Sequence, residues 1–284
     1  MVNGSRRTFF KLAGAGLAAA TALDTVVGNG RTAAQTSPKA KIPFELGMAS
    51  YTFRKFKLED CLAMTKRLGL KKIAFKDFHL ALNSTEAEIK AVVQKVVDSG
   101  LDLYGCGVVY MRSEDQVKQA FDYAKAAGMR VIIGVPEHNL LKLVDDKVKE
   151  YKIKVAIHNH GPGDKVYPTP QTVYDRIKDL DSRIGLCIDI GHTQRSGVDP
   201  SEAARAYANR LYDIHIKDVT APTGEGSTLE MGRGIIDIPK FMKTLIKINY
   251  TGMASLEYEK DADDPLAGAA ESIGYTRGVL AAIA

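Results

Sequence analysis

The sequence has no tryptophan and only three cysteines, Cys61, Cys106 and Cys187, in 284 residues. No two of them have the short spacing of a zinc ribbon or a redox pair, so neither a disulfide framework nor a thiolate metal site organises the chain. Cys106 and Cys187 fall in apolar stretches read below as strands, and free buried thiols are expected there. No apolar run approaches the ~18 residues of a membrane span. No G-x-G-x-x-G follows the first strand, which disfavours a dinucleotide-binding open sheet. An excess of one charge is also missing. The formal net charge is +5, but residues 1–34 hold Arg6, Arg7, Lys11 and Arg31 against Asp24 alone, leaving 35 basic and 33 acidic residues in the remainder. That balance offers no electrostatic footprint for a nucleic-acid partner. What is present suits an enzyme: 45% hydrophobic and 26% charged residues, in a length that fits one large α/β domain.

Residues 5–11 read SRRTFFK and precede a short apolar stretch, 12–23, rich in Ala and Gly. A basic region followed by a short apolar region is the pattern of an export leader. The pair Arg6-Arg7 before Phe9 and Phe10 resembles the twin-arginine type. Residues 1–40 are assigned to signal peptide and linker, with cleavage expected near Ala34, and 41–284 to the folded domain. The expected location is periplasmic or secreted, with no membrane anchor once the leader is removed.

From Pro43 onward, strand and helix patterns alternate. Apolar strands are expected at 44–50, 71–75, 101–109, 130–135, 154–160, 185–190, 211–216 and 252–258. Helical spacing fills 58–68, 84–98, 113–127, 140–151, 170–180, 200–208, 238–248 and 266–282. Gly69, Gly100 and Gly128 follow three of these helices as stop residues, Ser84 is a candidate N-cap, and Pro170 and Pro239 sit in first turns. Parallel strands need such crossovers. Eight units closing on themselves make a single-domain (β/α)8 TIM barrel, with a doubly wound sheet as the runner-up.

Four strands end on polar residues. IGLCIDIGH (184–192) delivers Asp189, KVAIHNH (154–160) delivers His158 and His160, LYDIHIKD (211–218) delivers His215, and MASLEYE (253–259) delivers Glu257. Polar groups at the mouths of buried strands need partners, and a barrel gathers its C-terminal strand ends at one rim. A divalent cation is the economical partner. His158 and His160, two apart, share a face if the strand continues, with Asn159 opposite. Lys217 can stabilise an enolate oxygen or form an ion pair with Asp213 or Asp218. Glu259 is expected in solvent. Tyr51, Lys76, His79, Glu137 and Arg233 lie after strand ends or in a Gly-Arg-Gly loop and are candidate substrate or acid/base groups at the mouth.

Asp189-Ile-Gly-His192, His215-Ile-Lys217-Asp218, the MGRGIID loop (231–237) and the SLEYE ending together resemble the sugar phosphate isomerase/epimerase family. These are xylose isomerase-like TIM barrels, distantly related to endonuclease IV. The resemblance implies one divalent metal, manganese first and zinc, cobalt or magnesium as alternatives. Asp189, His215 and Glu257 then occupy ligand positions, and His192 becomes a substrate contact or a support for the site. The family's strand-five motif carries a glutamate where this chain has His158, so His158 is the expected fourth ligand. Glu137 is the candidate to return the missing carboxylate. His158, if it titrates near ~6.5 like a free imidazole, would let protons compete with the metal.

The leading expectation is an exported, metal-dependent sugar isomerase or epimerase that abstracts a proton beside a polarised carbonyl, using Glu257, Glu137, His160 and Lys217. The alternatives are a lyase or hydratase on keto-sugars or keto-glycosides, and a non-catalytic sugar-binding barrel. A multi-metal phosphodiesterase is disfavoured because the third strand carries no histidine. The partner is a small sugar, with homo-oligomerisation left open.

Overall fold

The structure, a computed structural model, describes residues 41–284. The paired arginines and the rest of the leader lie outside the described residues. Strands β1 (Glu45–Ala49), β2 (Lys72–Phe75), β3 (Asp102–Met111), β4 (Val131–Pro136), β5 (Lys154–His158), β6 (Ile184–Asp189) and β7 (Leu211–Ile216) run in parallel. A two-stranded antiparallel ribbon, β8 (Asp218–Val219) with β9 (Thr228–Leu229), precedes the last barrel strand, β10 (Met253–Leu256). The barrel closes in the order β1-β10-β7-β6-β5-β4-β3-β2. This is the (β/α)8 barrel that the alternating pattern predicts.

The helices are α1 (Leu58–Arg67), α2 (Glu86–Asp98), α3 (Glu114–Ala126), α4 (Leu141–Tyr151), α5 (Pro170–Ile177), α6 (Ile190–Arg195), α7 (Pro200–Ala206), α8 (Ile238–Lys247) and α9 (Pro265–Ile283). Their starts follow local chemistry. Thr85, rather than Ser84, caps α2: its hydroxyl accepts from Glu88 N at 3.3 Å, and Glu88 Oε2 accepts from Thr85 N at 2.7 Å. This reciprocal box works only with the glutamate three residues after the cap. Gly69 follows α1 at φ 68°, a left-handed stop that a side chain would strain.

Register sets the height of each side chain. Asp189 on β6 lies beside His215 on β7, and His215 lies beside Ser255 on β10. His158 on β5 pairs with Cys187, one layer below Asp189. The β3–β4 register shifts between Cys106 and Val109, and β3 continues to Met111, two residues past its expected end. That extension carries Tyr110 to the mouth. The barrel floor is packed and partly polar: the Tyr104 hydroxyl lies 2.7 Å from Ser255 Oγ, and the Cys187 thiol donates to Asp213 Oδ1 at 3.7 Å. Cys106 and Cys187 are free and buried, as expected, and so is Cys61.

Candidate active site

His158 closes β5, Asp189 closes β6, His215 lies one residue inside the end of β7, and Glu257 follows β10 directly. All four side chains are buried, and one possible ligand atom from each lies within 4.8 Å of the others. His158 Nε2 is 3.4 Å from Asp189 Oδ2, and His215 Nδ1 is 3.2 Å from Glu257 Oε2. The rings of His158 and His215 meet edge to face at 4.9 Å. Asp189 is held from both sides. Its Oδ1 accepts from His192 N at 2.8 Å, capping α6, while its own N–H donates to Asn159 Oδ1 at 3.2 Å. Asn159 also donates to Thr193 Oγ1, so the side chain opposite His158 fixes the neighbouring strand end.

The electrostatics divide the two histidines. Burial pushes the pKa of His158 down to about 3, so its imidazole is neutral. Burial also opposes a charge on His215, but Glu257, with Asp213 and Asp189, more than offsets it and raises the pKa. Burial works against ionised Asp189 and Glu257 as well; Lys217, aided by the histidines, outweighs it and holds both well below the ordinary carboxylate range. One layer down, burial raises Asp213 to about 7. Burial thus works against the proton competition expected at His158 near ~6.5.

Both ring nitrogens of His158 and both of His215 are buried without a hydrogen bond among the described residues, whereas Asp189 Oδ2 is ion-paired with Lys217. Buried polar atoms are seldom left this way. Two neutral-capable imidazoles and two carboxylates converge there, a donor set that suits zinc, manganese or cobalt. The residues present thus fit a divalent ion, which His158, Asp189, His215 and Glu257 would hold.

Lys217 lies at the centre of the site rather than on its rim. Its Nζ is 2.9 Å from Asp189 Oδ2 and 2.6 Å from Glu257 Oε2, and it also contacts Glu259 Oε1. Neither Asp213 nor Asp218 is its partner. Asp218 instead accepts from the backbone N–H groups of Gly232, Gly234 and Ile236, pinning the 231–237 loop. Glu259, expected in solvent, is drawn in by the lysine. Gly191 is needed here because a Cβ would overlap Lys217 Cγ and Cδ.

β5 stops at His158, so His160 leaves the strand and turns along the mouth. Its ring sits 4.5 Å from that of His158 and stacks on Tyr110 at 5.6 Å, with Nε2 3.1 Å from the Tyr110 hydroxyl. Its Nδ1 faces Asp164 Oδ2 at 3.7 Å. His192, expected on a loop, lies in the first turn of the short helix α6 that Asp189 caps; its ring is 5.8 Å from His160. Lys76 Nζ donates to Val108 O at 2.6 Å and lies 5.8 Å from the Tyr110 ring. Tyr51 packs 6.1 Å from Phe78, beside the same opening. Three expectations are corrected. His79 is packed against Phe75 and Phe78 with Nε2 on Phe56 O, a structural role. Arg233 forms a two-pronged pair with Glu271 of α9, at 2.5 and 2.7 Å, which holds it on the outer surface. Glu137 precedes a 3-10 turn after β4, making no capping hydrogen bond, and is absent from the cluster of four. Sequence reasoning placed Asn159 opposite His158 without giving it a role, named Asp218 only as a possible partner of Lys217, and overlooked Tyr110, which carried no local signal.

A closed (β/α)8 barrel with two histidines and two carboxylates at the C-terminal ends of β5, β6, β7 and β10 defines a class of barrels built around one candidate metal position. Residues 57–279 match the family model for the xylose isomerase-like TIM barrel, and the chain belongs to that family. It is 28% identical over 137 residues to the rhizopine catabolism protein MocC of Rhizobium meliloti, covering 42% of each protein. It is 30% identical over 141 residues to the inosose dehydratase of Clostridium beijerinckii, covering 44% of this chain and 45% of that protein. The chain thus spans less than half the length of these curated relatives. Among solved structures, the IOLI protein with a bound zinc atom superposes with a TM-score of 0.71 at 16% identity, over 85% of this chain and 99% of that one. An L-ribulose 3-epimerase superposes with a TM-score of 0.68 at 17% identity, over 84% and 95%. At such identities the likeness to solved structures concerns the fold.

Proposed function

We propose that the chain is a divalent-metal enzyme that removes a proton beside the ketone of a sugar or cyclic polyol and then eliminates water or another β-substituent. The carrying observation is that the cluster holds His158, whose pKa burial lowers, and not Glu137, at the position where the family resemblance implies a second glutamate. Epimerisation through two opposed carboxylates lacks one of its groups. The names of the curated relatives, several of them inosose dehydratases, point in the same direction.

A divalent ion in the site supplies Lewis acidity that acidifies the C–H next to a substrate carbonyl. The chain supplies the rest. Burial, and His192 beside it, lower the pKa of His160, so its ring is neutral near pH 7 and able to take that proton. The Tyr110 hydroxyl on its Nε2 can hand a proton to a departing oxygen. Lys217 can steady the negative oxygen of the enolate. The test is incubation of the metal-loaded protein with cyclic keto-polyols, followed by mass and NMR analysis. The expected product has lost one water and contains a conjugated enone. A product of unchanged mass with one inverted carbon moves the assignment to an epimerase.

We also propose export through the twin-arginine leader. Supporting it are Arg6-Arg7 and the apolar stretch behind them. Replacing both arginines by lysine is expected to leave the precursor in the cytoplasm, as read by fractionation; normal export of the double variant contradicts this reading.

A further inference from the structure

Lys217 and a divalent ion call on the same atoms. Asp189 Oδ2 faces both His158 Nε2, at 3.4 Å, and Lys217 Nζ, at 2.9 Å. Glu257 Oε2 likewise faces both His215 Nδ1, at 3.2 Å, and Lys217 Nζ, at 2.6 Å. The inward oxygen of each carboxylate thus lies between one imidazole and the ammonium. The lysine side chain is only 2% exposed, so little water screens it from a second cation in the same pocket. Glu259 also contacts Nζ, is 28% exposed, and is not one of the four clustered groups. It offers the ammonium a resting place on the solvent side.

We propose that Lys217 is the built-in counter-cation of this centre. It neutralises Asp189 and Glu257 in the metal-free chain, and a divalent ion binds by displacing it toward Glu259. This rests on the metal reading above and adds an order of events. Without metal, both carboxylates hold the lysine. With metal, the lysine is released from them and its N–H groups become available to a substrate oxygen. The chain can therefore fold before it is loaded, since its two buried carboxylates are never left unpaired. The ion's affinity then includes the work of moving the lysine.

The test compares wild type, Lys217→Met, Glu259→Gln and the double variant. Zinc and manganese affinities are measured by chelator competition, and thermal midpoints are measured on metal-free protein. Lys217→Met is expected to bind metal at least about tenfold more tightly, a ratio equivalent to about 1.4 kcal/mol, and to melt lower when metal-free. Glu259→Gln is expected to bind metal more weakly, because the displaced ammonium loses its partner, and this effect should vanish in the Lys217→Met background. Unchanged or weaker metal binding in Lys217→Met overturns the proposal and makes the lysine a supporting hydrogen-bond donor to the liganded carboxylates. Should metal-free Lys217→Met fail to fold, Glu259→Gln alone decides: unchanged affinity overturns the displacement. Wild type and all variants lacking metal would overturn both, through the metal reading itself.

Discussion

Replacing His215 by alanine is expected to empty the metal site while the barrel stays folded. His215 lies near the end of β7, beside Asp189 in register and 3.2 Å from Glu257, and neither of its ring nitrogens has another partner. Its loss removes a ligand yet leaves Asp189 and Glu257 paired with Lys217, so no buried carboxylate is orphaned. Metal affinity should fall by more than about 100-fold, the upper end of what losing even a supporting group does. Turnover should fall about a thousandfold or more, since Lewis-acid polarisation contributes several kcal/mol. Asp189→Ala should also lose the metal, but with an added stability cost of about 1 kcal/mol because Asp189 caps α6. Elemental analysis of purified protein and thermal melting separate the two effects. Stoichiometric metal retained in His215→Ala contradicts the ligand assignment.

The second large effect concerns acid. The pKa of His158 lies at about 3 in the fold because burial disfavours its charge, against an ordinary value of 6.5. Between these values the unfolded chain binds a proton that the folded chain refuses, so stability rises with pH across this window. Acidifying the metal-free protein from about pH 7 toward pH 3 should therefore cost on the order of 5 kcal/mol through this one ring. His215 acts with the opposite sign: its pKa is raised, so its contribution is full below 6.5 and is lost as pH rises through the folded value. Asp189 and Glu257, whose pKa values are lowered, lose their contribution only at the acid end. His158→Gln, of similar size and without a titrating proton, isolates the first effect. Its urea-denaturation free energies should vary much less between about pH 6.5 and pH 3. A profile that superimposes on wild type would show that His158 is not held neutral by the fold.

The rhythm of strands and helices was legible because apolar runs, stop glycines and first-turn prolines are local signals, and a barrel is the closure that eight crossovers favour. The polar ends at His158, Asp189, His215 and Glu257 were legible for the same reason: each breaks an apolar run at the same point of its unit. What was not legible depended on where a strand stops or which distant side chain answers. His160 shares the face of His158 as a strand neighbour only if β5 continues, and β5 ends two residues short of it. Arg233 is at home in a Gly-rich loop, yet Glu271 on α9 holds it outside. Glu259 reads as a solvated carboxylate until Lys217 is seen reaching up from β7. Tyr110 reaches the mouth through the register shift and extension of β3, a tertiary feature with no spacing of its own.

The most direct measurement is anomalous diffraction from crystals of the metal-loaded protein, recorded on both sides of the absorption edge of the added ion. A single peak bonded to His158, Asp189, His215 and Glu257, at one ion per chain, is the predicted result. A mouth without a peak, Asp189 and Glu257 still clasping Lys217 at saturating metal, would contradict it.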